Sequence, residues 1–244
     1  MLNQQTLNTL NQLKLFGMAK GFEDRLNNPA HTEISHQEFL GFLVQDEKLY
    51  RENKRLQRLL RNAKLKIPAA IEDVDTKTPR GLNKQVLLNL SNIQWVEAHG
   101  NVLLCGPAGV GKSFIACALG HLAARAGYTV LYFRAPRLFE TLHQSRADGS
   151  HLKALAKLSR TQLLIIDDFL LTPLSEPERK DFLEIIEDRY GAGATVITSQ
   201  CPLKEWHQNI QDPTIADAIC DRLFHNASKI ELKGDSFRKK QAKP

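Results

Sequence analysis

The stretch NVLLCGPAGVGKSFIACALGHLAARAG (residues 101–127) constrains this chain more than any other. It opens on a short apolar run of strand length and closes on small and apolar residues at helical spacing, with GPAGVGKS (106–113) between them. A strand feeding a helix through a glycine-rich turn belongs in a parallel sheet with helical crossovers, so neither an all-β nor an all-α fold suits this part. The turn matches the pattern GxxxxGK[ST] in full, which chance yields in roughly one chain in a hundred of this length. Its flanking strand and helix are the context the pattern requires; the competing reading is a plain glycine-rich strand-to-helix turn.

The chemistry of such a turn is phosphate binding. A phosphate chain must be wrapped by backbone N–H groups, so Gly106, Gly109 and Gly111 permit close approach and unusual backbone angles. The helix that begins near Lys112 adds its positive dipole end. Lys112 is placed to bridge β- and γ-phosphates, and the Ser113 hydroxyl to ligate Mg²⁺. The candidate ATP-binding set is therefore Gly106, Pro107, Ala108, Gly109, Val110, Gly111, Lys112, Ser113 and Phe114.

At 244 residues the chain has room for one such core plus a smaller appendage. Its composition, 42% hydrophobic and 25% charged, is that of an ordered globular protein. No apolar stretch approaches the roughly 18 residues of a membrane span, and the polar start MLNQQTLNTLNQ lacks a signal-peptide core, so the expected location is cytoplasmic. Cys105, Cys117, Cys201 and Cys220 stand far apart, without the spacing of a zinc site. The net charge of +6 is modest, so its distribution matters more than its size.

Residues 1–75 contain helical patterns and no convincing strand. Leu7, Leu10 and Leu13 form one apolar face, Met18, Phe22 and Leu26 another, and Asn27-Asn28-Pro29 then breaks the chain. Ser35 with Glu38 has the form of a capping box that opens a long helix, expected from His36 to about Lys66. PAAIEDVDTKTPR (68–80) reads as a linker, so the expected domains are 1–75, helical, and 76–244, α/β. Expected strands are 101–105, 129–133, 162–167, 194–199 and 229–233, with helices near 82–98, 112–126, 136–146, 151–159, 176–190 and 214–225.

The second strand-end signal is LLIIDD (163–168), a buried strand ending in two carboxylates. Asp167 is the candidate to hold the metal, and Asp168 to polarise an attacking water. Either could instead be a solvated strand end, but the spacing from the phosphate loop favours the site. ATVITSQ (194–200) ends the next strand in polar residues, where Ser199 or Gln200 could sense the γ-phosphate. In DAICDRL (217–223), Arg222 is either a surface ion-pair partner or an arginine finger that reaches a neighbouring subunit's ATP.

Within the long helix, Arg51, Lys54, Arg55, Arg58 and Arg61 fall on one face, opposite Leu49, Leu56, Leu60 and Ala63. Too few carboxylates lie among them for alternating salt bridges, so the backbone of double-stranded DNA is the natural partner. A solvated charged face is the alternative. The tail FRKKQAKP (237–244) is also basic. Membrane docking is not expected, because the apolar face is needed for packing.

These elements in this order resemble the IstB-like ATP-binding proteins, helpers of insertion-sequence transposition related to the DnaC helicase loaders. The resemblance covers nearly the whole chain: LKLFGMAKGF, GPAGVGKS, LLIIDDF and the long stretch TSQCPLKEWHQNIQDPTIADAICDRLFHNASKIELKGDSFRKK. It implies an AAA+ P-loop core with a central parallel sheet behind a small all-helical N-terminal domain. It also implies ATP-promoted homo-oligomers on DNA, with ATP at subunit interfaces, and cooperation with a cognate transposase. The arginine-finger role falls on Arg222, and the helical insert before LLIIDD faces DNA, with Lys153, Lys157 and Arg160 as contacts. Asp168 departs from the glutamate of many AAA+ ATPases. The stretch after LKGDSFRKK is too short for a helical lid, so Arg238 is the substitute candidate for a sensor-2 arginine. The function implied is ATP hydrolysis coupled to assembly on DNA in aid of a transposase. A DnaC-like helicase loader is the alternative, and a small-molecule kinase ranks last because it leaves Arg222 and the basic helix unexplained.

Overall fold

A computed structural model of the chain describes residues 2–27 and 35–237. The Asn28-Pro29 break, Arg238 and the basic residues after it lie outside the described residues. The chain divides into two compact units, Met1–Arg58 and Leu59–Pro244.

The first unit holds α1 (Leu2–Gln12), α2 (Phe16–Leu26) and most of α3 (His36–Ala63). Ser35 opens α3 by the expected capping box, its backbone N–H donating to Glu38 Oε2 at 3.0 Å while Glu38 N donates to Ser35 Oγ at 3.2 Å. Packing of α2 on α3 depends on Gly17, where a Cβ would lie 2.5 Å from the Asp46 carbonyl oxygen. Glu47 of α3 accepts hydrogen bonds from the backbone N–H of Gly17 at 2.7 Å and Met18 at 3.2 Å, so a buried carboxylate caps the first turn of α2. Its acidity is raised accordingly: burial works against the charge, but hydrogen bonds from Arg51 and these amides hold its pKa below the usual carboxylate value. Leu49 is 46% exposed, so it does not share the buried face with Ala63 that its spacing suggested.

In the second unit, β1 (Asn101–Cys105), β2 (Val130–Arg134), β3 (Leu163–Phe169), β4 (Ala194–Ser199) and β5 (Ala227–Glu231) form one parallel sheet in the order β2-β3-β4-β1-β5. Near-continuous apolar runs are what such a sheet needs, because both faces are covered. Val102 and Leu104 face α6 (Lys112–Arg125), whereas Leu103 and Cys105 face the opposite core with Leu138, Phe182 and Ile219. That opposite core is built from α7 (Ala135–Ala147), α8 (His151–Arg160), α9 (Glu176–Arg189) and α11 (Pro213–Phe224). A short α10 (Trp206–Ile210), which periodicity does not reveal, buries Trp206 with its ring 5.1 Å from Phe169.

Three differences from the sequence expectation have physical causes. The expected helix 82–98 is split into α4 (Lys84–Ser91) and α5 (Gln94–Glu97), because Ile93 takes a left-handed backbone at φ 59°. The expected last strand starts two residues early, at Ala227, and Leu232 onward leaves the sheet edge. The expected linker is not a linker: Ala69, Val74 and Leu82 are buried in the core with α6, and with them the last turn of α3, Leu59 and Ala63. Apolar residues hidden in a proline-bearing, irregular segment carry no periodicity to announce their burial. Among the described residues, no helix is long and apolar enough to cross a membrane.

Candidate functional site

Parallel strands bring their carboxyl ends to one edge, and ligands of such sheets bind there. At that edge the loop after β1 turns through Gly106, Gly109 and Gly111 with φ of 145°, 82° and 99°. These conformations exclude most side chains, and a Cβ on Gly109 would also lie 2.0 Å from Ser236 Oγ. Pro107, Ala108 and Val110 complete the turn, and Ser113 and Phe114 open α6 behind Lys112. The Lys112 ammonium donates to the carbonyls of Gly106 at 2.7 Å and Pro107 at 2.8 Å.

Asp167, at the end of β3, is fully buried and accepts three hydroxyls. Ser113 Oγ donates to Oδ1 at 2.8 Å, Thr198 Oγ1 to Oδ1 at 2.5 Å, and Tyr132 OH to Oδ2 at 2.5 Å. A buried carboxylate requires such partners, and Lys66 Nζ, 3.9 Å from Oδ2, adds a positive charge. Burial and the bond to Asp167 push the Tyr132 phenol well above its ordinary pKa, so it stays a donor. Ser113 and Asp167 thus present adjacent hard oxygens beside a phosphate-type loop, a donor set that fits Mg²⁺ on a nucleotide.

Asp168 adopts a left-handed backbone, φ 60°, at an irregularity in the β3–β4 pairing between Ile166 and Phe169. This kink turns its carboxylate out of the sheet, where Arg134 Nε meets Oδ2 at 3.0 Å. Ser199 differs from expectation. Its hydroxyl is fully buried and donates to the Phe169 carbonyl at 2.7 Å, so it closes the β3–β4 end and does not face the nucleotide site. Thr198, one residue earlier, is the polar side chain on Asp167, and Gln200 is exposed just past the strand.

The residues that sequence reasoning missed are Arg80 and the strap 232–237. Arg80 is 5% exposed and donates to the Val110 carbonyl at 2.6 Å and the Asp75 carbonyl at 2.7 Å. Its guanidinium lies 4.9 Å from the centre of the Phe237 ring, while Phe237 N donates to the Gly109 carbonyl at 3.0 Å. Leu232 N donates to the Cys105 carbonyl at 2.7 Å, so strap and arginine brace the phosphate loop from outside. The sole sequence signal was a lone basic residue after a proline.

Arg222 lies elsewhere. The Asn101 side chain, at the start of β1, donates to the Leu223 carbonyl at 3.2 Å, which puts Arg222 at the amino ends of the strands. One strand length, on the order of 15 Å, therefore separates it from the phosphate loop of the same chain. Its Nη2 lies 2.9 Å from Glu187 Oε1. On α8, Lys153, Lys157 and Arg160 are exposed, while Leu155 and Leu158 are buried beneath them. On α3, Arg51, Lys54, Arg55, Arg58 and Arg61 are all exposed; Arg51 pairs with Glu47 and Lys54 lies over the rings of Tyr50 and Phe16.

Comparison with known proteins agrees with this geometry. Two insertion sequence ATP-binding proteins of Sinorhizobium fredii are similar along their whole length. One is 48% identical over 241 residues, covering 99% of this chain and 98% of its own, and the other 45% identical, covering 98% and 96%. The crystal structure of the DnaC helicase loader resembles it in fold, with a TM-score of 0.56 at 19% identity over 68% of this chain and 97% of that one. The core accordingly has the AAA+ P-loop fold. The family model described as IstB-like ATP binding protein matches residues 8–244, and with relatives this similar over nearly the full length, the chain belongs to that family.

Proposed function

We propose that this protein is an ATP hydrolase whose ATP-bound form assembles head-to-tail on double-stranded DNA and assists a transposase in insertion-sequence transposition. The observation that carries the reading is the separation of Arg222 from the phosphate loop across the sheet. A transition-state arginine that cannot reach its own nucleotide is matched by one that reaches the next subunit's, and such a heterologous contact repeats into rings or filaments.

In this reading the loop amides from Gly106 to Ser113 and the Lys112 ammonium bind the phosphates, with Ser113 and Asp167 holding Mg²⁺. The metal would neutralise charge on the β- and γ-phosphates. Asp168 orients the attacking water, and Gln200 and Thr198 are the polar groups nearest that strand end. The neighbour's Arg222 offsets charge on the transferring group. The first helical unit with the rest of α3, and the α8 lysines, hold DNA: the exposure of Arg51, Lys54, Arg55, Arg58 and Arg61 along α3 supports contact with phosphates. That cationic stripe favours DNA over a helicase as the partner of this unit.

Duplex-DNA binding and particle size, measured with ATP, ADP and no nucleotide at two salt concentrations, test the reading. Large, salt-sensitive complexes that require ATP and vanish in Lys112→Ala are expected. A chain that ignores DNA in every nucleotide state overturns it.

A further inference from the structure

We infer that Glu187 is a positioning residue for Arg222: it holds the guanidinium within its own subunit until the phosphate of a neighbouring subunit's ATP displaces it, and so sets the protein concentration at which assembly begins. The inference rests on the trans role of Arg222 proposed above.

Both terminal nitrogens of Arg222 are engaged inside the chain. Nη2 meets Glu187 Oε1 at 2.9 Å, and Nη1 donates to the Ala218 carbonyl at 2.9 Å. A guanidinium held this way is withdrawn from any incoming anion until the carboxylate lets go. Glu187 is presented rigidly, because Arg189, two residues on, is 2% exposed and ties the end of α9 to its surroundings. Arg189 donates to the carbonyls of Leu158 at 2.6 Å and Thr161 at 2.7 Å, and to Thr195 Oγ1 at 3.1 Å.

Beside the pair, at the amino ends of the strands, lies a cavity of about 360 Å³ lined by Arg222, Arg189, Asn101, Asn226 and His225 among others, with no carboxylate in its described lining. An anion that enters meets hydrogen-bond donors, one of which, Arg222, is paired with Glu187. The exchange is finely balanced. Arg222 and Glu187 side chains are 30% and 47% exposed, and pairs of that kind shift equilibria by about twofold to fivefold. A γ-phosphate carries more charge than a carboxylate and matches the guanidinium fork at least as well, so it wins once a loaded neighbour is present. A neighbour with ADP offers no such group. The pair therefore lowers the competent fraction of free subunits, a tax on assembly that ATP removes.

The test is the midpoint protein concentration of ATP-driven assembly, read by light scattering on the full chain for the wild type, Glu187→Gln, Arg222→Ala, Arg222→Lys and the double variant Glu187→Gln/Arg222→Ala. Glu187→Gln keeps the shape of the side chain and removes its charge. It is expected to lower the midpoint about twofold to fivefold with ATP and to leave it unmoved with ADP. The double variant should behave as Arg222→Ala. An unmoved midpoint in Glu187→Gln, while both Arg222 variants assemble poorly, overturns the inference alone. A shift that persists in the double variant also overturns it, because the charge then acts without Arg222. Wild-type assembly by both Arg222 variants removes the trans reading itself, and this inference with it.

Discussion

Arg134 Nε lies 3.0 Å from Asp168 Oδ2, so the last residue of β2 holds the carboxylate that the proposed reaction needs free to orient water. Arg134 is 47% exposed against 16% for Asp168, and solvent around the arginine limits the pair to about 1 kcal/mol. Arg134→Gln should therefore raise kcat for ATP hydrolysis up to about fivefold and leave the KM for ATP unchanged. Steady-state kinetics on assembled protein checks this, and a fall in kcat would show that Arg134 aims Asp168 at the water instead of withholding it.

Asp167 carries three hydroxyl partners and no exposure, so its removal and its neutralisation should differ. Asp167→Ala leaves the Ser113, Thr198 and Tyr132 hydroxyls without their acceptor and should cost about 2–4 kcal/mol of stability. Asp167→Asn retains shape and most hydrogen bonds, so it should fold near normally yet lose the charge that holds Mg²⁺. Thermal unfolding with and without Mg²⁺ and ATP separates the two. The wild type should gain about 2.7 kcal/mol at a hundredfold excess of ligand over Kd, and Asp167→Asn distinctly less.

Arg80 has no counterpart in the motif, yet it touches the loop directly. Arg80→Ala removes the bond to the Val110 carbonyl and the stack on Phe237, and should weaken ATP binding about tenfold while costing about 2 kcal/mol of stability. Isothermal titration with ATP measures the first quantity and denaturant unfolding the second. Unaltered affinity would show that the strap alone braces the loop.

In the first unit, Glu47 makes the helix pair sensitive to acid. Its folded pKa lies below the unfolded value of about 4.3, so its stabilisation is complete above that value and is lost as pH falls through the folded one. Hydrogen-exchange protection of the Gly17 and Met18 amides should hold from pH 7 to pH 5 and decline below about pH 4. Glu47→Gln should lose about 1 kcal/mol of capping at neutral pH and abolish that acid dependence. Protection that declines equally in Glu47→Gln would assign the acid response to another carboxylate.

Much of this molecule was determined by short-range pattern. A phosphate loop is a local object: GPAGVGKS needs only a strand before it and a helix after it, and both are visible as runs of apolar residues. The capping box at Ser35 and the carboxylates closing LLIIDD are local in the same sense, so the starts of their elements were legible within a residue or two. Tertiary structure alone decided which side chains meet across long separations. Thr198 and not Ser199 faces Asp167, because the parallel register pairs Ile166 with Ile197 and the next residues, Asp167 and Thr198, then share a face. Residues 68–80, linker-like in sequence, join the core and deliver Arg80 to a loop thirty positions away. Arg222 stands with Glu187 at the far edge from the nucleotide loop because a parallel sheet sends every strand start to one side and every strand end to the other. Periodicity records which face of an element is buried; it holds no record of which distant residue will be packed against it.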